Sequence, residues 1–156
     1  MYNKIFKNKT WQSQERYKKE WLHRNEHMRD LLDDYKKYTY TEYGCGPMAP
    51  FKSCIGLDIS LVDMWKWDKL NNIVFDLNTN RDDESWNNLP KTDVGVLSGV
   101  LEYVDNPHLV LRKLRNIHKF ILYSYEKTEF CNVDLGQIKN HSTWKKHKLI
   151  LLECNK

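Results

Sequence analysis

Two glycines close an apolar run near residue 40, in Glu42-Tyr43-Gly44-Cys45-Gly46-Pro47. Glycines placed directly after a strand let the backbone come close to a nucleotide-like ligand. The same pair also serves a tight turn that needs φ > 0. Asp58 stands near the end of a second run, 54–59, twelve residues after Gly46. A carboxylate at that strand end can accept both hydroxyl protons of a ribose diol, or it can cap a following helix. Asp76 stands at the end of a third run, 72–77, placed to accept from an adenine amino group. A fourth run, 93–99, leads into Ser98-Gly99-Val100-Leu101-Glu102-Tyr103-Val104, and Asn106-Pro107 then opens a helix.

These residues do chemistry together only if a scaffold brings four run ends to one place. The runs alternate with helix-like segments at 61–70 and 107–117, and further runs follow at 119–125 and 147–154. Strands alternating with helices imply βαβ units, a mainly parallel sheet and right-handed crossovers. Before them, residues 1–37 read as a basic arm ending in a helix. Tyr17, Trp21, Met28, Leu31, Leu32 and Tyr35 fall on one helical stripe, with Ser13 as N-cap. The expected organisation is an arm and helix over 1–37 and a compact α/β domain over 38–156.

Composition bounds the alternatives. A chain of 156 residues is one domain by length, and 13% aromatic residues excludes a disordered chain. No stretch approaches the ~20 apolar residues of a membrane helix. Residues 1–10 are polar and lack the apolar core of a secretory signal. Cys45, Cys54, Cys131 and Cys154 form no C-x-x-C pair and read as reduced thiols, so the expected location is cytoplasmic. The net charge of +4 hides a pattern: residues 1–37 and 107–156 are basic, whereas 38–106, which carry the glycines, are acidic. A nucleic-acid binder usually shows a basic stripe at its working site, and here that part is acidic. The charge reads as solvated faces of mixed sign, with an acidic substrate or phosphate backbone held by the two basic ends as the other reading; nucleic acid is not the expected partner.

The four elements TEYGCGP, IGLDIS, IVFDLN and DVGVLSGVLEYVDNP, in this order, resemble the class I S-adenosylmethionine-dependent methyltransferases. The likeness spans about residues 38–125 and looks closest to the small-molecule branch, including enzymes of methionine and surface-polysaccharide biosynthesis. It implies a Rossmann-like fold with strands near 38–43, 54–58, 72–77, 93–98 and 119–125 parallel in the order 3-2-1-4-5, plus a last strand. It also implies S-adenosylmethionine across the strand carboxyl ends. Gly44, Cys45 and Gly46 would lie against the methionine and ribose part, with Glu42 fixing the loop and the amino-acid end. Asp58 would bind the ribose hydroxyls and Ile59 the adenine face. Asp76 and Leu77 would read the adenine edge, and Ser98 and Gly99 would border the methionine portion. The implied activity is methyl transfer to an unidentified small-molecule or saccharide-type acceptor. Such catalysis is mostly alignment, with a base where the acceptor is protonated. His108, Tyr103 and His141 are base candidates by chemistry alone.

The chain departs from that pattern. Met48 takes the third glycine position. Only residues 47–53, with two prolines, remain for the crossover to the second strand. As helix these seven would span about 10 Å, short of the roughly 17 Å of a five-residue strand, so the helix after the first strand should be reduced or missing. One strand is expected after residue 125, where the family usually has two. The alternative function is therefore a non-catalytic binding or regulatory domain on the same scaffold. His23 and His27, at i and i+4, lack a third ligand, so no metal site is expected. Trp65 and Trp67 read as packing residues, and Lys145, Lys146 and Lys148 as a solvated edge.

Overall fold

The computed structural model describes residues 19–44, 54–58, 72–78, 83–126 and 135–154. Among them, strands β1 (Tyr40–Tyr43), β2 (Cys54–Asp58), β3 (Asn72–Val74), β4 (Val94–Leu97), β5 (Phe120–Tyr125), β6 (Gly136–Trp144) and β7 (His147–Cys154) form one sheet. Its order is β3-β2-β1-β4-β5-β7-β6. The five strands from β3 to β5 pair in parallel, and β7 runs antiparallel to both β5 and β6. The helices are α1 (Lys19–Arg29), α2 (Asp83–Asn87) and α3 (Pro107–Arg115), with 3-10 turns at Tyr35–Lys37 and Leu101–Tyr103.

Every residue of β1, β4 and β5 is buried, as expected of parallel strands covered on both faces. Side-chain alternation sorts them into two cores. Tyr40, Val96, Leu122 and Leu151 face Met28, Leu31 and Leu32 of the arm. Tyr43, Leu97, Ile121 and Leu152 face Trp86, Leu111 and Leu114 of α2 and α3. Helix α3 starts where the sequence predicts. Asn106 caps it by accepting from the Leu109 N–H at 3.1 Å, and Pro107 takes the first position, which needs no donor. At the other edge, Asp93 accepts from the Thr39 N–H (2.9 Å) and hydroxyl (3.0 Å), fixing the register of β1 on β4.

The arm differs from its expected form. The stripe predicted one helix through Tyr35, but α1 ends at Arg29. The Leu31 N–H bonds the Met28 carbonyl at 3.2 Å and Leu32 that of Arg29 at 3.0 Å, a tight turn. Aspartates compete with helical backbone through their own side chains. Asp33 takes the Lys37 ammonium at 2.5 Å and the Tyr38 hydroxyl at 2.8 Å, and Asp34 caps the following turn through the Lys36 N–H. Leu31 and Leu32 are still buried, so the chain keeps the burial and loses the helix. Helix α1 packs mainly against β5, β6 and β7, and Met28 shares a buried cluster with Tyr40 of β1 and Val96 of β4.

The tail holds two strands, not one. β6 escaped notice because its sequence, Gly136–Trp144, is polar and mostly exposed, with no apolar run. The turn to β7 is Lys145-Lys146, with Lys145 at φ 52°, and lacks the Asn or Gly that marks such hairpins. Helix α2 was not expected either; Trp86 holds it by packing edge-on against Phe75, ring centroids 5.1 Å apart. The crossover 47–53, the helix at 61–70 with Trp65 and Trp67, Tyr17 and the Trp21 side chain lie outside the described residues.

A buried polar network links β1 to the start of β5. His118, 0% exposed, donates from Nδ1 to the Thr92 carbonyl at 2.9 Å and accepts from the Tyr43 hydroxyl at Nε2, 2.6 Å away. A Cβ on Gly95 would come 2.6 Å from the ring. Burial pulls His118 down to about 4. Its folded value lies below the ~6.5 of the unfolded chain, so stability is complete above pH 6.5. It is lost as pH falls from there through 4, by about 3 kcal/mol in all. Urea midpoints measured from pH 7 to 4 should drop in the parent and show a flatter pH dependence in His118→Gln; parallel slopes would remove this role. For the arm, Met28→Ala should cost about 2–5 kcal/mol. A loss under about half a kcal/mol, the scale of surface substitutions, would mean that Met28 does not anchor the arm.

Candidate functional site

The parallel strands bring the predicted residues to one edge of the sheet. Asp58 ends β2 opposite Val74 of β3, and Tyr43 of β1 pairs with Leu57 of β2. Glu42, 3% exposed, lies between Gly56 and Val96 on β1, one residue before the strand ends. Gly44 follows with φ +65°, and a Cβ there would meet Val100 Cγ2 at 2.6 Å. Conformation and contact both require glycine at this position. Gly44 and the turn after β4 are thus in direct contact across the β1–β4 boundary. Cys45, Gly46 and Ile59 lie outside the described residues, as does the Asp58 side chain.

The turn after β4 is the most constrained part of the edge. The Gly99 N–H donates to the Ser124 hydroxyl at 2.8 Å. Ser98 donates to the side-chain amide oxygen of Asn25 and accepts from Arg24 Nε at 2.9 Å. Gly99 has φ +66°, and a Cβ on it would fall 2.6–2.9 Å from the Arg24 guanidinium. Arg24 is only 8% exposed. Burial pulls it down from its ordinary value, opposed first by Glu102 and then by Glu42. Its guanidinium carbon also lies 6.0 Å from the Trp144 ring centre.

Asp76 and Leu77 sit further along, after β3. Asp76 accepts from the Asn78 N–H at 2.9 Å. The Asn78 side chain accepts from the Asp105 N–H (2.8 Å) and donates to the Tyr103 carbonyl (3.4 Å), tying the loops after β3 and β4 together. Leu77, Asn78, Trp86 and Leu109 line a cavity of about 120 Å³ between those loops and α3.

Sequence reasoning missed Arg24, Asn25, Glu102, Ser124 and His147. A signal existed for the first two. Arg24 and Asn25 fall at i+3 and i+4 from Trp21 and at i−4 and i−3 from Met28, so they interrupt the apolar stripe where a solvated face is excluded. Of the proposed bases, Tyr103 and His141 are exposed and His108 is half-buried on the outer helix α3. His147 stands closer to the site. Its Nδ1 is 3.6 Å from Glu102 and its Nε2 is 3.5 Å from Glu126. Burial and, after it, Arg24 hold His147 below its ordinary value, while burial pushes Glu102 up. A neutral imidazole between two carboxyl groups can accept a proton.

No protein-family model matches the chain, and no curated protein matches it by sequence. Solved structures do. The N-terminal domain of EvdMO1, crystallised in the presence of SAH and D-fucose, aligns with TM-score 0.57 at 10% identity, over 89% of this chain and 84% of that one. The mitomycin 7-O-methyltransferase MmcR aligns with TM-score 0.58 at 10% identity, over 86% of this chain and 54% of that one. WbdD aligns with TM-score 0.54 at 11% identity, over 85% of this chain and 38% of that one. Five parallel strands extended by an antiparallel pair, with glycine turns meeting at the carboxyl ends of β1 and β4, together with these neighbours, give the chain the fold of the class I S-adenosylmethionine-dependent methyltransferases.

Proposed function

We propose that the chain transfers a methyl group from S-adenosylmethionine to a small-molecule or saccharide-type acceptor. One observation carries the reading: Glu42, Gly44, Ser98 and Gly99 meet at the adjoining ends of β1 and β4. The chain leaves β1 toward β2 and returns to β4 on the other side, so a crevice opens between them, as at ligand sites in such sheets. The groups present fit the cofactor. Gly44 is exposed and its φ presents bare backbone at the crevice, while Glu42 is a buried carboxylate suited to an amino group. Two neighbours supply support for the class of acceptor: one is crystallised with SAH and D-fucose, another is described as an O-methyltransferase.

When bound, S-adenosylmethionine supplies a methyl group made electrophilic by its sulfonium. The chain's part is to hold the reactants in line. In this reading Gly44, Cys45 and Gly46 cradle the methionine and ribose part, Glu42 takes the amino-acid end, and Ser98 and Gly99 border it. Asp58 accepts from the ribose hydroxyls, Ile59 covers one adenine face, and Asp76 with Leu77 meets the adenine edge. In this reading His147, beside Glu102 and Glu126, is the base for an acceptor that must lose a proton. The arm over 1–37 serves the domain over 38–156. Among the described residues no helix is long and apolar enough to cross a membrane.

Isothermal titration with S-adenosylmethionine and S-adenosylhomocysteine tests the reading. Both should bind, and Asp58→Ala should weaken them by about 1.5–3 kcal/mol, the worth of a hydrogen bond to a charged group. Absence of heat and of any thermal shift with both would overturn it and leave a non-catalytic domain on this scaffold.

A further inference from the structure

We infer that Arg24 holds the α-carboxylate of the cofactor's methionine end, which makes helix α1 a wall of the cofactor site. The inference rests on the methyl-transfer reading and goes beyond it, because nothing in the sequence motifs involves the arm.

The first ground is what the sequence leads one to expect between the glycine motif and β2. An anionic group at the end of a first strand is ordinarily met by the N-terminus of the helix that follows, through its N–H groups and dipole. Here only residues 47–53, two of them proline, separate the glycine motif from β2, too few for a full helix alongside the strand. On that expectation, positive potential for a carboxylate has to come from another element.

The second ground is where a cation stands. Arg24 bonds Ser98 through Nε and lays its guanidinium over Gly99, on the ground bordering the methionine portion. Gly99 is bare at the point where the guanidinium lies, and the Ser124 hydroxyl holds its backbone in place. A guanidinium presents five donors in a rigid fork matched to the two oxygens of a carboxylate.

The third ground is charge pairing. Arg24 is electrostatically coupled first to Glu102 and then to Glu42, itself 3% exposed. An α-amino acid head carries one positive and one negative charge. A buried carboxylate and a buried guanidinium near the same end of the sheet reproduce that pattern with opposite signs, Glu42 toward the amino group and Arg24 toward the carboxylate. A purely structural Arg24 would anchor α1 to Ser98 and do nothing for the ligand.

Decarboxylated S-adenosylmethionine separates the two roles, because it keeps the sulfonium and the amino group and lacks only the carboxylate. In isothermal titration the parent protein should bind S-adenosylmethionine roughly ten- to a hundredfold more tightly than the decarboxylated analogue. Arg24→Gln should bring the intact cofactor down to the analogue's level and change the analogue by less than about threefold, within the scatter of a substitution that touches no ligand group. Arg24→Lys, which keeps the charge without the fork, should retain part of the preference. Equal affinity of the parent for both ligands would overturn the inference, and needs no variant to fold. Equal weakening of both by Arg24→Gln would reduce Arg24 to an anchor. If the parent binds neither ligand, the methyl-transfer reading itself falls, and the inference with it.

Discussion

The Arg24 guanidinium lies against the backbone of Gly99, out of water, and much of the site follows from that contact. Removing a guanidinium from solvent costs several kcal/mol unless hydrogen bonds and opposite charge offset it. Ser98 supplies a hydrogen bond, Glu102 and Glu42 supply charge, and the Trp144 face supplies a further weak attraction. Each of these partners comes from a different element: the turn after β4, the 3-10 turn beyond it, β1 and β6. The contact therefore holds the arm to the sheet and fixes the turn after β4 from three sides, since Asn25 takes the Ser98 hydroxyl and Ser124 takes the Gly99 N–H. A turn held this way has its shape before any ligand arrives, so little ordering remains to be done on binding.

The same contact accounts for where α1 sits. A helix of eleven residues with few apolar side chains is not stable alone. Its burial comes from Met28 and from the turn that follows, which places Leu31 and Leu32 against β4, β5 and β7. The β6–β7 hairpin makes this possible by widening the sheet beyond β5. Asn140 of β6 donates to the Leu31 carbonyl at 3.1 Å, closing the arm onto the hairpin. So the described part of the arm covers the sheet on the side of the antiparallel pair, and reaches the carboxyl edge with Arg24 and Asn25.

What the sequence made legible were the features written in apolar runs and glycines. Each of the runs at 38–43, 54–59, 72–77, 93–99, 119–125 and 147–154 contains a strand, and the Asn106-Pro107 pair marks the start of α3. These signals are local, so residue order alone carries them. The rest was set by contacts distant in sequence. β6 is polar because one of its faces and its outer edge meet water, and such a strand shows no run to read. The end of α1 depends on Asp33 finding Lys37 and Tyr38. The roles of Gly99 and Arg24 are separated by seventy-five positions and become one feature only in three dimensions. Glu42, Gly44, Ser98 and Gly99 were legible as candidates because glycine and strand ends announce themselves; Arg24 and His147 were not, because one lay in a helix read for its apolar stripe and the other beside a cluster of lysines.

The charge pattern of the chain takes on meaning at this edge. The middle third is acidic and contributes Glu42 and Glu102; the basic arm contributes Arg24, whose charge is coupled to both. Two carboxylates against one guanidinium leave the edge negative when all are ionised. In the proposed reaction the intact cofactor carries a sulfonium and its product does not, so the ligand loses one positive charge at the moment the methyl group leaves. A hydroxyl acceptor releases a proton in the same step. A buried negative edge attracts the charged cofactor more than the neutral product, and a neutral His147 between Glu102 and Glu126 can take the released proton, which those carboxylates then stabilise. The positive charge lost from sulfur is thereby replaced by one on imidazole.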